Sequence, residues 1–329
     1  MVSIKDVAKR AGVAVSTVSK VLNDYPNISE ETKARVNEAV KQLQFVPNTV
    51  AAALSSKQAG RVALLIHLNN RTQAIDEISM QYIAGAVHAA KERKLDIITI
   101  FFTMIEEMSL EELTAYLKSQ NITGLIICGI NKECRVLHGL IEQQLFKIVL
   151  VDAPLVNQVT SVVWVDQKQA QMDVARKTIL ENNGRRILYL SGKNNGYVAE
   201  PRLEGMKELA KEMNLQLLVK CGNFRELQAR ELTFEHGQSW DVIVCASDLM
   251  AIGAMRALTE MDIFRPVCGF DGITLMGYAG KQMNTVKQDF YEIAAKAVEE
   301  LQYLLHGGEG REVLLPHTLI RMKYEDIIC

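Results

Sequence analysis

From Arg61 onwards, short apolar runs alternate with longer amphipathic stretches, and this alternation constrains the fold more than any other feature of the chain. Strands are predicted at Arg61–His67, Asp96–Phe102, Gly124–Cys128, Lys147–Val151, Ser161–Val165, Arg186–Leu190, Leu215–Lys220, Asp241–Cys245 and Pro266–Phe270. Helices are predicted between them at Ile78–Lys94, Leu110–Gln120, Val136–Gln144, Gln167–Asn182, Arg202–Met213, Glu226–His236 and Leu249–Met261. Strand and helix in alternation imply a parallel sheet covered by helices on both faces, because parallel neighbours need a crossover. Roughly ten strands exceed one comfortable sheet, so two doubly wound lobes are expected. Ligands bind such sheets outside the carboxyl ends of the strands, which for two lobes means the cleft between them.

The first fifty-odd residues are different. Ile4, Val7, Ala8 and Ala11 recur on one face of a short helix, with Ser3 and Asp6 reading as its N-terminal cap. Gly12 breaks that helix where a tight turn needs positive φ. A second helix buries Val18, Val21 and Leu22 and leaves Val15, Ser16, Thr17, Ser19 and Lys20 on or near its other face. Two short helices around a glycine turn, the second with a small, polar and cationic outer face, describe a helix-turn-helix that reads a DNA major groove. The spacing alone equally suits a helical pair inside a core. Ser29 caps a third helix with Glu30 and Glu31 in its first turn and Val36, Ala39, Val40 and Leu43 as its stripe. After Pro47, Asn48 can cap a short helix with a small-residue face and one leucine, Leu54. The division expected is a DNA-binding head at 1–46, a hinge helix and linker at 47–60, and a two-lobed body at 61–329.

Charge agrees with this division. Eight basic side chains (Lys5, Lys9, Arg10, Lys20, Lys33, Arg35, Lys41, Lys57) against five acidic ones (Asp6, Asp24, Glu30, Glu31, Glu38) put residues 1–59 at +3. With the whole chain at −2, the remainder carries −5. A basic head on an acidic body places the phosphate-facing surface at one end. So modest a charge binds DNA weakly as a single copy, which favours a homodimer. The polar, charged N-terminus shows no signal peptide, and no apolar run is long enough for a membrane span, so a cytoplasmic protein is expected. The six cysteines form no CxxC pair; Cys128, Cys245 and Cys268 sit in strand-like runs and read as core residues in a reducing compartment. No histidine stands at ligand spacing to a cysteine, so neither metal nor cofactor is expected.

The run from Ile4 to Ala8, the stretch from Gly12 to Asn23, Ile28 to Thr32, and Pro47, Asn48, Ala51 and Leu54 together resemble the lactose-repressor family of bacterial regulators. The body resembles that family's effector domain, itself similar to periplasmic sugar-binding proteins. The landmarks are Val151-Asp152, Trp164 and Asp166, Pro201 to Gly205, Cys245 to Ala254, Gly269 to Asp271, and Val286 to Asp289. The resemblance covers nearly the full chain. It implies a helical head and an α/β body of two periplasmic-binding-protein-type lobes, crossed by the chain near Asp166, Lys287 and Leu315. Helix Tyr291–His306 would return to the first lobe, and the tail His317–Tyr324 would add to the second.

The resemblance also implies site residues. Val15, Ser16 and Lys20 would read bases, and Ser3, Thr17, Ser19, Asn23, Ser29 and Thr32 would contact phosphates. Asn48 and Ala51 would line the hinge helix in the minor groove of a near-palindromic operator, with Leu54 as an apolar wedge. Val15 has no hydrogen-bond donor, so there it can read only a thymine methyl or exclude. A small-molecule effector, a sugar or sugar derivative, would meet Asp152, Trp164, Arg202, Ser247 and Asp271. Arginine offers a planar fork of donors, the carboxylates accept from hydroxyls, and an indole gives an apolar platform. The alternative for Asp271 is a turn residue at a strand end and for Trp164 core packing; Asp248 reads as the cap of the helix starting at Leu249. The sequence departs from the family's pattern at Asn69 to Gln73 and at Gly272, both at the pocket mouth, and Arg71 there would suit an anionic effector. The function implied is an allosterically controlled transcriptional repressor.

Other function classes fit less well. A transport receptor with such a body needs export and has no use for the head. An enzyme is disfavoured because no GxSxG, P-loop, HExxH or strand-following GxGxxG occurs. A regulator answering a partner protein would have a filled or absent cleft. The chain ends without a trailing leucine heptad, which favours a dimer over a tetramer.

Overall fold

The computed structural model of the 329-residue chain describes residues 2–22, 28–45, 61–67, 77–279 and 282–321. Residues 1–58 and 59–329 form two compact units. Asn23, Asn48, Ala51, Leu54, the expected hinge helix, Asn69 to Gln73 with Arg71, and the tail beyond Arg321 lie outside the described residues.

Among its described residues the first unit packs three helices, α1 (Ile4–Ala11), α2 (Val15–Leu22) and α3 (Glu30–Gln42). Its core is Val7, Ala8, Ala11, Val18, Val21, Val36 and Ala39, with Leu22, Val40, Leu43 and Phe45 against it. Gly12 sits at φ 65°, the left-handed conformation that ends α1 and opens the turn. Arg35, which charge counting treats as one cation among several, fixes that turn by donating to the carbonyls of Ala11 (2.8 Å) and Gly12 (3.2 Å).

The second unit contains two six-stranded sheets. The first lobe has strands β1 (Arg61–Ile66), β2 (Ile97–Phe101), β3 (Ile122–Cys128), β4 (Lys147–Val151), β5 (Thr160–Val165) and β11 (Glu312–Leu315), ordered β11-β5-β4-β3-β1-β2 with every pairing parallel. Helices α4 (Glu77–Glu92) and α11 (Phe290–Leu305) cover one face, and α5 (Leu110–Ser119) and α6 (Arg135–Glu142) the other. Almost every residue of β1, β3 and β4 is buried, the mark of a strand sandwiched on both sides.

The second lobe has β6 (Arg186–Ser191), β7 (Gln216–Cys221), β8 (Val242–Cys245), β9 (Val267–Cys268), β10 (Asn284–Lys287) and β12 (Thr318–Arg321), ordered β12-β10-β9-β8-β6-β7. Only the β10–β12 pair is antiparallel. Helices α7 (Gln167–Asn182), α8 (Ala199–Glu212), α9 (Glu226–His236) and α10 (Asp248–Glu260) enclose it. The chain passes between lobes three times, from β5 into α7, from β10 into α11, and from β11 into β12.

Two local readings are corrected. The strand predicted to run from Pro266 to Phe270 is regular only over β9, although beyond it the Gly269 amide still donates to Asn284 O (3.0 Å) and the Asp271 amide to Val286 O (2.9 Å). Helix α8 starts at Ala199 rather than Arg202, since a proline in the first turn, Pro201, sacrifices no helical hydrogen bond.

Candidate functional site

A cavity of about 440 Å³ opens between the lobes at the carboxyl ends of their strands. The first lobe contributes His67, Ser79, Tyr82, Asn131, Asp152 and, from α11, Phe290; the second contributes Lys193, Tyr197, Arg202, Phe224, Ser247 and Asp271. Gln288, at a crossing between lobes, completes the floor. Four of the five effector residues expected from the sequence therefore converge. Trp164 does not line the cavity: it packs with the core on the α5–α6 face of the first sheet, in register with Leu314 of β11, and its indole Nε1 is buried without a partner. Strand alternation decides this, since Val163 and Val165 point to the other face.

The two carboxylates stand where strands stop. Asp152 follows β4 at φ 56°, and Asp271 follows β9 at φ 126°, both positive and both costly for a side chain with a Cβ. Asp152 Oδ1 accepts from the Val165 amide (3.2 Å) and from Gln167 Nε2 (3.0 Å). Burial pushes its carboxyl above the ordinary range, and those two hydrogen bonds and the Arg202 charge pull it back. Asp271 Oδ1 accepts from Gln288 Nε2 (3.2 Å) and lies 3.8 Å from Arg202 Nη1. Its carboxyl is raised by burial first, an effect the Arg202 charge opposes and the Asp248 carboxylate reinforces.

Arg202 is only 3% exposed. Its guanidinium stacks 3.6 Å from the centre of the Phe270 ring. Nε and Nη2 both donate to Gln167 Oε1 (2.9 and 2.7 Å), and Nη1 donates to the Ala246 carbonyl (2.5 Å). The fork expected to face a ligand is thus partly used inside the protein, leaving one N–H each on Nη1 and Nη2 over. Tyr82 packs edge-on to Phe290, with ring centres 5.3 Å apart, and gives the cavity an aromatic wall.

Ser247, read as an effector contact, lines the cavity and also takes the capping role read for Asp248. Ser247 Oγ accepts from the Met250 amide (3.3 Å) and caps α10, which leaves its hydroxyl proton for the cavity. Asp248 is fully buried inside the first turn of α10. Its Oδ2 accepts from the amides of Gly272 (2.7 Å) and Ile273 (2.9 Å), and its Oδ1 accepts from Thr285 (2.6 Å). It therefore holds the turn that carries Asp271. Gly272 belongs to the same device: it sits at φ 77°, and a Cβ there would lie 2.8 Å from Lys287 Cα.

The lobes also touch at both rims. On one, Glu77 at the start of α4 accepts from the Thr274 amide (2.8 Å) and hydroxyl (2.7 Å). On the other, the Lys132 amide donates to Asn195 O (3.0 Å), Lys132 pairs with Glu200, Asn195 Nδ2 donates to Glu133 (2.7 Å), and His138 Nε2 meets the Tyr197 hydroxyl (2.9 Å). None of these partners was legible in the sequence, since each pair is far apart along the chain.

In the first unit, α2 presents Val15 (41% exposed), Ser16 and Lys20 outward, with Thr17 and Ser19 half-buried beside them. Ser3 is turned onto its own helix: its N–H and Oγ donate to Asp6 Oδ2 (2.8 and 2.7 Å), which holds the Asp6 carboxyl below its usual range. Ser29 Oγ accepts from the Thr32 amide (3.3 Å) and donates to Thr32 Oγ1 (2.9 Å). Among the described residues no helix is long and apolar enough to cross a membrane, and no three His, Cys, Asp or Glu side chains cluster as a metal site. Cys128, Cys245 and Cys268 are buried free thiols.

A helix-turn-helix unit joined in one chain to two α/β lobes that enclose a polar cavity defines a DNA-binding regulator with a ligand-binding body. Comparison with known proteins agrees. Residues 3–48 match the family described as bacterial regulatory proteins, lacI family, and residues 64–300 match the periplasmic binding proteins and sugar binding domain of the LacI family. The chain belongs to the LacI family, and it is a DNA-binding transcriptional regulator with an effector domain of the sugar-binding type. It is similar to the HTH-type transcriptional regulator AscG of Escherichia coli (strain K12), with 28% identity over 320 residues covering 94% of each chain. It is 29% identical over 308 residues to the ribose operon repressor of Halalkalibacterium halodurans, covering 90% of this chain and 88% of that one. In fold it is similar to the lac repressor dimer bound to operator and the anti-inducer ONPF (TM-score 0.82, 22% identity, 98% and 99% of the two chains). It is also similar in fold to a CelR–cellobiose complex (TM-score 0.71, 24% identity, 98% and 100%).

Proposed function

We propose that this protein is a homodimeric cytoplasmic repressor whose hold on a near-palindromic operator is set by a neutral carbohydrate bound, and left chemically unchanged, between its lobes. The observation that carries the effector half is the convergence of Asp152, Arg202, Ser247 and Asp271, from both lobes, on one cavity beside the aromatic wall of Tyr82 and Phe290. Carboxylates accept from a polyol's hydroxyls, the remaining Arg202 donors reach a ring or glycosidic oxygen, and aromatic faces take its C–H surface. A ribose operon repressor and a cellobiose-bound regulator among the similar proteins support that ligand class.

For DNA, Val15, Ser16 and Lys20 are the base readers and Thr17 and Ser19 reach phosphates, which their place on α2 supports. Ser3 and Ser29 donate to phosphate only by giving up the hydroxyl protons they share with Asp6 and Thr32, whereas Thr32 Oγ1 only accepts there and keeps its own proton for a phosphate. Asn23, Asn48, Ala51 and Leu54 keep the roles that the family resemblance gives them. Control follows by linkage, as an effector preferring one lobe arrangement shifts DNA affinity by its differential affinity for the two states, about 1–3 kcal/mol.

The test is selection of duplexes from a random pool by the purified protein at several salt concentrations, repeated with ribose, cellobiose and other sugars. A two-fold-related site whose enrichment changes with one sugar is the expected result. Enrichment that no carbohydrate alters, together with turnover of a sugar, would sink the reading.

A further inference from the structure

The cavity floor is also the place where the chain passes between lobes. The first crossing ends at Gln167, the opening residue of α7, and the second begins at Gln288, directly after β10. Their carboxamides meet, Gln167 Nε2 donating to Gln288 Oε1 at 3.3 Å. At the third crossing, between β11 and β12, His317 Nε2 meets Asp173 Oδ2 at 3.0 Å, further along α7. The first two crossings therefore lie side by side, and the third is tied to the helix that the first opens.

The hydrogen bonds here have a fixed direction. A guanidinium only donates and an ionised carboxylate only accepts, so Gln167 must turn its carbonyl to Arg202 and its amide to Asp152. The second proton of that amide goes to Gln288, whose own amide donates to Asp271. One directed chain thus starts at Arg202, runs through both crossings and ends on a carboxylate in each lobe. Both glutamines are buried, at 5% and 3% exposure, with little water to substitute for a lost partner.

We propose that Gln167 and Gln288 are positioning residues that couple the polar geometry of the cavity to the closure of the lobes. The inference rests on reading the cavity as the effector site and adds how its occupancy reaches the hinge. A ligand hydroxyl that engages Asp152 Oδ1 competes with Gln167 for that atom, and a ligand oxygen on the spare Arg202 donors draws the guanidinium away from Gln167 Oε1. A displaced, buried carboxamide must find new partners. It sits on the crossing segment itself, so finding them rotates the backbone about which the lobes turn. A chain of directed bonds switches between discrete arrangements, as a regulator needs.

The experiment is hydrogen–deuterium exchange on the full chain without added ligand, comparing the natural protein with Gln167→Met and Gln288→Met, which keep the volume and remove the amide. The amides of Lys132 and Thr274 donate across the two rims and report closure, while those of Leu188 and Tyr189 inside β6 report folding of the second lobe. The expected result is about tenfold faster exchange at Lys132 and Thr274 in both variants, with Leu188 and Tyr189 unchanged. Gln167→Glu should give the same loss, because it cannot donate to Asp152. Adding Asp152→Asn should restore part of the protection by returning a donor to that one bond, while the Gln288 carbonyl stays unmatched, a partial rescue that a merely structural role would not produce. Natural protection at Lys132 and Thr274 in both methionine variants overturns the proposal, as does an equal loss at Leu188 and Tyr189 in both. Failure to select any DNA would instead sink the repressor reading and leave the exchange result to decide the coupling alone.

Discussion

Replacing Arg202 by methionine tests whether charge, rather than shape, holds the cavity floor together. The side chain is 4% exposed and makes three short donations, two to Gln167 Oε1 and one to the Ala246 carbonyl, while stacking on Phe270. Methionine keeps most of the contact with the ring. It strands the Gln167 carbonyl and the Ala246 carbonyl, each at about 1–3 kcal/mol, and it removes the positive charge that opposes the rise of the buried Asp271 and Asp248 carboxyls. The guanidinium no longer has to be desolvated, which returns part of the loss. The net expectation is a destabilisation of about 3–5 kcal/mol at neutral pH, the range for breaking a buried ion pair by removing one partner. Urea unfolding followed by fluorescence of Trp240, which packs on the second lobe's core, measures it. The penalty has a pH signature. Asp271 and Asp248 already have folded pKa values raised above the ordinary range, so they favour folding at low pH and that contribution is lost as pH rises through the raised values. Without Arg202 both rise further, so the penalty of Arg202→Met should be larger at about pH 8 than at about pH 5.5. A loss below about 1 kcal/mol, or one equal at both pH values, refutes the electrostatic account.

Three further outcomes follow from the same geometry. Gly272→Ala should cost about 1–3 kcal/mol in the same unfolding assay, since φ 77° and the Lys287 backbone 2.8 Å away both oppose a Cβ; a neutral result would mean the turn relaxes freely. Lys20→Gln should weaken operator binding and flatten its dependence on log salt by about 1 if Lys20 meets a phosphate, or relax base preference by about 1–3 kcal/mol if it reads a base; binding unchanged in both respects would remove Lys20 from the interface. Carbohydrate affinity, measured by calorimetry, should increase as pH rises through the raised pKa of Asp271, because a ligand hydroxyl donates to its ionised form; a flat profile would exclude Asp271 as an acceptor.

The succession of elements was readable because buried parallel strands and their covering helices have different apolar periods. β1, β3, β4 and β5 and the helices α7 and α9 fall at or within a few residues of where those periods place them. Side-chain duties were less readable where two neighbours share a chemistry. Ser247 and Asp248 are both good caps, and only the path of the 271–273 turn over α10 makes the aspartate its anchor and leaves the serine to cap. Trp164 was placed by resemblance, whereas strand parity turns it away from the cavity. Gln167 carried no signal, and Gln288 stood only within the Val286 to Asp289 landmark, with no role attached. A glutamine beside a crossing is ordinary in sequence, and its meaning arises when the chain folds back to set two carboxamides 121 positions apart against each other.

The two strained aspartates give that arrangement a purpose. Asp152 and Asp271 hold positive φ at the ends of β4 and β9, at about 1–3 kcal/mol each, and both are partly desolvated as well. A fold would shed such costs unless something else over-determined the two positions. The directed chain through Gln167 and Gln288 does so from within, and the Glu77–Thr274 and Lys132–Glu200 contacts do so at the rims. A polyol that satisfies the same carboxylates is therefore a competitor for bonds the protein already makes to itself. Its affinity is the difference between two similar networks, and that difference, rather than the full strength of its contacts, is what can be transmitted as a change in lobe arrangement. Effector affinity and allosteric response should consequently trade against each other: loosening the internal network through Gln288→Met should tighten binding of the sugar while shrinking the change it causes in operator affinity. Variants in which both quantities rise together would show that the cavity floor is not where the two are joined.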